Sequence, residues 1–234
     1  MKKPPVNRTS VIFDLDGVIV DSMPYHFLAW YEALMPFGVR VSCFDVFAKE
    51  GERWDRTLQD LFLKSGMTPG PRLLAKVFTR RQKIFKKYFK RFIFKGAPEF
   101  LACLKAQGYS LGLVTGTPTH EVRKILPKRI WRLFDCIIAG DRVKKGKPHP
   151  EPYLKASKAL GVDPRACVVV ENAPYGIESA KRAGMFCVAV TTSLPGEYLG
   201  RADVIVDRLE KIMPLIGGAC MAGKGRGKER ARKV

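Results

Sequence analysis

Six short apolar runs constrain this chain most. They lie at residues 10–13, 110–115, 135–139, 166–170, 186–191 and 203–206. In runs such as Val11-Ile12-Phe13 and Val168-Val169-Val170, consecutive positions are apolar. That pattern marks strands covered on both faces, as in parallel sheets. Helical patterns fall between the later runs, at residues 98–107, 119–126, 150–160, 174–183 and 208–213. Strand alternating with helix predicts an α/β chain with a parallel sheet and helices on either side. The exception is the stretch from about residue 20 to residue 94. It contains no convincing strand and reads as helices at 23–35, 55–65 and 71–92. The expected organisation is therefore a discontinuous core, residues 1–20 and 95–216, with a helical lobe over residues 21–94.

The insertion begins directly after Phe13-Asp14-Leu15-Asp16-Gly17. Ligands of open α/β sheets bind at the carboxyl ends of the strands. Alternation along a strand sends Asp14 and Asp16 the same way. Two such carboxylates repel unless a proton or a cation separates them. This suits a metal-assisted nucleophile beside a general acid/base, under a helical lobe hinged near Asp21 and near Lys95-Gly96.

Three later strand ends add to it. Thr115-Gly116-Thr117-Pro118 closes the second run. With Pro118 as first helical residue and Thr117 as its cap, hydroxyl, glycine and helix terminus can make a phosphate cradle, with an ordinary capped helix as the alternative. Gly146-Lys147-Pro148-His149-Pro150 presents Lys147 as a pre-ordered cation, because a residue before proline is held extended. His149 is expected to have a surface or packing role. Glu171-Asn172 follows Val170 and offers oxygen ligands to a hard cation such as magnesium, with helix capping as the alternative use of Asn172.

In this order, the pieces resemble the haloacid dehalogenase-like hydrolases over residues of about 10 to 210, in the branch of helical-cap phosphatases and β-phosphoglucomutases. Tyr25-His26-Phe27 and Trp30 add to the likeness. The resemblance implies a Rossmann-like parallel sheet core with an inserted helical cap domain. It implies that Asp14 attacks phosphorus and forms an aspartyl-phosphate, while Asp16 protonates the leaving oxygen and later activates water. Thr115, Gly116 and Lys147 would hold the phosphoryl group. Mg2+ would bind Asp14, the main-chain carbonyl of Asp16, and Glu171 with Asn172. The sequence departs from the family in two places. Its usual Glu-Asp pair is here Glu171-Asn172, which removes a negative charge from the metal site. The mutase cap arginine falls at Trp54, with Arg53 beside it. Arg81 matches a substrate-facing lysine of the mutase cap and lies in the apolar stripe of its helix with Val77, Phe78, Ile84, Phe85, Tyr88 and Phe92. Arg53 and Arg81 are thus the candidate cap contacts. His26, near the first hinge, is expected to cap or pack unless it faces the cleft.

Composition bounds the remainder. The formal charge is +20. Residues 80–95 carry eight basic groups and no acid, and residues 224–233 six basic groups and one acid. This excess favours anionic partners. Residues 217–234 read as a basic disordered tail able to make non-specific polyanion contacts. No apolar stretch approaches the roughly 18 residues of a membrane span. Met1-Lys2-Lys3 is followed by Pro4-Pro5 and by charged Asp14 and Asp16, so a cytoplasmic monomer is the expectation. The six scattered cysteines predict reduced thiols without a disulfide framework or zinc site. The reading is a magnesium-dependent phosphatase of a small phosphorylated metabolite. Its alternatives are a sugar-phosphate mutase and a nucleic-acid-binding protein on a retired phosphatase scaffold.

Overall fold

A computed structural model describes residues 9–217. The basic tail beyond Gly217 lies outside the described residues. Six strands form one sheet: β1 (Ser10–Asp14), β2 (Ser110–Val114), β3 (Cys136–Ile138), β4 (Cys167–Glu171), β5 (Phe186–Val190) and β6 (Val204–Val206). Their order is β3-β2-β1-β4-β5-β6, and every pairing is parallel. Chain direction across the sheet reverses between β1 and β4, which places a crevice at their carboxyl ends.

The apolar runs are explained by packing on both sides. Val11, Phe13, Val168 and Val170 face one buried cluster with Phe100, Leu101 and Leu104 of α5 (Ala97–Ala106). Ile12, Val114 and Val169 face the other. That cluster includes Tyr153 and Ala156 of α8 (Glu151–Leu160), and Ile177 and Ala180 of α9 (Pro174–Arg182). The first face also receives α6 (Thr119–Ile125) and α7 (Lys128–Trp131) through Val122, Ile125 and Ile130.

Between β1 and β2 the chain forms α1 (Met23–Leu34), α2 (Cys43–Phe47), α3 (Trp54–Lys64) and α4 (Pro71–Tyr88). These enclose their own core of Trp30, Leu34, Val46, Leu58, Phe62 and Val77. Helix α4 stops earlier than the periodicity predicts. Phe89 leaves helical geometry because the chain must return to the sheet. It does so paired with the outgoing linker: Asp21 N–H donates to the Phe92 carbonyl at 2.8 Å, and Phe94 N–H to Ile19 at 3.0 Å. The two segments that connect the helical lobe to the sheet are thus tied to each other.

Three local expectations are corrected. Helix α6 begins at Thr119 with Pro118 as its N-cap, and Thr117 uses its hydroxyl elsewhere. Residues 209–216 form a 3-10 helix around Pro214. Helix α2 was not predicted, although Ser42 and Asp45 form a reciprocal capping box that marks its start. Of the cysteines, Cys43, Cys136, Cys167 and Cys187 are free, with Cys43 exposed. Cys103 departs from the expected reduced thiols and is disulfide-bonded. Among the described residues, no helix is long and apolar enough to cross a membrane.

Candidate active site

Asp14 ends β1, Thr115 follows β2, Glu171 ends β4, and Lys147 comes from the loop after β3. All four side chains are buried. Lys147 Nζ is their hub. It lies 2.5 Å from Asp14 Oδ1 and 2.6 Å from Glu171 Oε1. The Lys147–Pro148 peptide is cis. Burial alone would lower the Lys147 pKa, but the two carboxylates outweigh it and hold the ammonium well above its ordinary range. For Asp14 the balance goes the other way. Burial pushes its carboxyl well up, against the pull of Lys147.

Glu171 is fully engaged. Its Oε1 accepts from Lys147 and, at 2.7 Å, from the Tyr153 hydroxyl. Its Oε2 accepts from the main-chain N–H groups of Asn172 and Ala173. Asn172 does not cap α9, whose N-cap is Ala173. Its Nδ2 donates to Ser193 Oγ at 2.7 Å. At the carboxyl ends of β1 and β4, two buried side-chain oxygens remain without a partner among the described residues, Asp14 Oδ2 and Asn172 Oδ1. A buried acceptor left unpaired is costly, and hard cations prefer oxygen ligands, so this pair fits a magnesium ion. Glu171 meanwhile holds Lys147 and the following turn through its hydrogen bonds. Gly17 makes the approach of Asn172 possible: its φ is 81°, and a Cβ there would run into Asn172 Nδ2.

Asp16 is held from two sides. Ser22 Oγ donates to its Oδ1 at 2.6 Å, and His26 Nε2 lies 3.2 Å from the same oxygen. Thr115 and Thr117 hydroxyls donate to Oδ2 at 3.2 and 3.1 Å. Burial would raise the carboxyl, but hydrogen bonds led by His26, Ser22 and Thr117 outweigh it and bring it down to about 2. Thr115 also accepts from Thr117 N–H at 3.1 Å, which fixes the turn. His26 faces the cleft, the exception allowed for it, and it also packs, stacked on Phe85 with ring centroids 4.6 Å apart. Arg81 Nη2 donates to its Nδ1, so Nε2 carries the proton that Asp16 receives. Asp16, His26 and Glu50 lie within 4.8 Å of one another. They do not suit a metal, because His26 has no free lone pair and a guanidinium sits against it.

A cavity of about 320 Å³ separates these core residues from the helical lobe. Its cap wall includes Trp30, Glu50, Trp54, Phe78 and Arg81, and its floor Thr115, Gly116 and Lys147. Arg81 stacks over Trp30 and Phe85, 5.2 and 5.0 Å from the ring centroids. Arg53 is turned to the rim, bonded to Asp55 and to the Lys144 carbonyl. Gly51, with φ 79°, rests on the Lys147 stem, where any Cβ would collide. His149 stays out of the cavity, its Nδ1 accepting from Glu151 N–H at 3.1 Å. Sequence reading missed Tyr153, Ser22, Glu50 and the inward role of Thr117. Only Thr117 had a signal, its hydroxyl two residues from Thr115.

A parallel sheet with Asp14 at its centre, a buried lysine across from it and a helical lobe above defines a hydrolase of the haloacid dehalogenase type. The family described as haloacid dehalogenase-like hydrolase matches residues 11–190, and the chain belongs to it. It is a phosphohydrolase enzyme by its relatives. Phosphoglycolate phosphatase of Salmonella paratyphi A is 32% identical, over 90% of this chain and 93% of that protein. Validoxylamine A 7'-phosphate phosphatase of Streptomyces hygroscopicus subsp. limoneus is 42% identical over 124 residues, which span 52% of this chain and 58% of that protein. A solved structure from Bacteroides vulgatus, described as a candidate β-phosphoglucomutase, superposes with a TM-score of 0.81 at 28% identity, covering 91% of this chain and 90% of the other.

Proposed function

We propose that the protein is a magnesium-dependent phosphatase that releases inorganic phosphate from a small phosphorylated metabolite through an aspartyl-phosphate on Asp14. The observation that carries this is the buried, unpartnered Oδ2 of Asp14, beside a Lys147 ammonium that neutralises its neighbouring oxygen. An Asp14 oxygen attacks phosphorus, the bond to the leaving oxygen breaks, and Asp16 gives that oxygen a proton. Asp16 then takes a proton from water, which attacks phosphorus and frees Asp14. With its carboxyl held near 2, Asp16 must shed some of its four hydrogen bonds before it can carry the first proton. Lys147, Thr115 and the Gly116 main chain hold the phosphoryl oxygens, since phosphoryl transfer depends mostly on positioning and charge neutralisation. Asp14, the Asp16 carbonyl and Asn172 would hold magnesium, which supplies further neutralisation of phosphoryl charge.

Asn172→Asp is expected to lower the magnesium concentration for half-maximal activity by about tenfold, because it adds a charged oxygen ligand. An unchanged or weaker magnesium titration would remove Asn172 from the site.

Mutase chemistry is the second reading, favoured by the fold shared with the Bacteroides vulgatus structure. A mutase must hold a distal phosphate in its cap, which calls for a free cation. Trp54 stands at the mutase arginine position, and Arg53 is bonded to Asp55. Incubation with β-glucose 1-phosphate, magnesium and a trace of the 1,6-bisphosphate is expected to give phosphate and little glucose 6-phosphate. Rapid glucose 6-phosphate formation without phosphate release would reverse that order.

A further inference from the structure

The cap wall carries one carboxylate that the proposed chemistry does not use. Glu50 lies in the loop between α2 and α3 and lines the cavity. Its carboxylate makes no hydrogen bond and no ion pair to any described residue. The other acid of the cap wall, Glu52, is engaged: it accepts from Thr57 at 2.8 Å. The cations are engaged as well. Lys49 is bonded to Asp60, Arg53 to Asp55, and Lys147 to Asp14 and Glu171. Arg81 alone has no carboxylate partner, and the strongest anionic influence on it is Glu50. Arg81 and Glu50 therefore cancel across the mouth of the cleft. Beside them Trp54 stacks on Phe78 with ring centroids 4.1 Å apart, an apolar platform.

We propose that Glu50 is a specificity-determining residue that masks Arg81, so that the enzyme accepts phosphomonoesters of neutral, hydroxyl-rich alcohols and rejects those bearing a second anionic group. The inference rests on the phosphatase reading above. Hydroxyls of such an alcohol donate to Glu50 and accept from Arg81, while its C–H face lies on Trp54. A substrate carboxylate instead meets Glu50 at close range in a water-poor cleft. Coulomb repulsion at about 5 Å in such surroundings is worth on the order of a hundredfold in affinity. Removing the Glu50 charge leaves Arg81 uncompensated, which turns the same wall into an anion acceptor.

The experiment compares kcat/KM for sorbitol 6-phosphate and for phosphoglycolate, with magnesium present. The wild-type protein is expected to favour the sorbitol ester by about tenfold or more. Glu50→Gln is expected to narrow that ratio by about tenfold, mainly through a lower KM for phosphoglycolate. Glu50→Gln combined with Arg81→Gln is expected to restore the ratio, a coupling that a merely structural role would not produce. Arg81→Gln alone leaves Glu50 unopposed and widens the ratio, and it serves as the test should Glu50→Gln not fold. Wild-type preference for phosphoglycolate, or a ratio insensitive to both variants, overturns the proposal. Turnover of p-nitrophenyl phosphate by the wild type separates the two readings. Its absence tells against the phosphatase assignment itself, whereas its presence with an insensitive ratio tells against Glu50 alone.

Discussion

Asp14→Asn is expected to lower phosphate release by at least about a thousandfold while the thermal transition stays within a few degrees of wild type. The substitution keeps volume and shape but removes the attacking oxygen. Nucleophile loss in other covalent enzymes costs up to about a millionfold. The fold is spared because Lys147 retains Glu171 as its partner at 2.6 Å. The substitution also removes a carboxylate that burial already disfavours in its charged form. Circular dichroism and a magnesium-saturated rate measurement check both halves. A variant that keeps more than about a thousandth of the rate would exclude Asp14 as nucleophile.

Lys147→Ala is expected to cost both activity and stability, by roughly 3–5 kcal/mol in the latter. The lysine is 3% exposed and bridges two carboxylates that are each 1% exposed, so its loss strips Asp14 of its one side-chain partner and leaves Glu171 with only Tyr153 and two main-chain N–H groups. For a chain of this size that corresponds to a melting temperature lower by about 10 °C. Arginine is not expected to rescue it, because Gly51 presses on the lysine stem and leaves no room for a guanidinium. Folding raises the Lys147 pKa, so its contribution is fully present below the ordinary value of 10.5 and is lost only as pH rises through the raised value. Removing Lys147 also removes what holds the Asp14 carboxyl down, so the stability gap between wild type and variant should widen as pH rises through the Asp14 titration. A gap below about 1 kcal/mol would show that the bridge contributes little.

The sheet was legible because burial on both faces writes an uninterrupted apolar run, which few other environments tolerate. The residues that gather at the sheet's carboxyl edge were legible where a strand end coincides with proline and glycine punctuation, as at Asp14, Thr115, Lys147 and Glu171. The cap was less so. Its helices show their periodicity, yet α2 has only five residues and leaves no periodic trace. Glu50 and Tyr153 were invisible for another reason. A glutamate in a polar loop and a tyrosine in an amphipathic helix look like ordinary surface and core, and only the folded chain brings them to the cleft. The division of labour between Glu171 and Asn172 was likewise hidden, since it depends on which oxygen is already occupied.

The four hydrogen bonds to Asp16 have one consequence for how the enzyme keeps time. Two of the partners, Ser22 and His26, belong to the cap position and first turn of α1, and two, Thr115 and Thr117, to the turn that follows β2. The carboxylate is thus a clasp between the two bodies. Any displacement of α1 from the sheet would remove Ser22 and His26, and each partner lost would make Asp16 more basic. By reciprocity, a proton arriving on Asp16 loosens the clasp to the same extent. On the acid role proposed for Asp16, the position of α1 and the strength of the acid would be two readings of a single equilibrium.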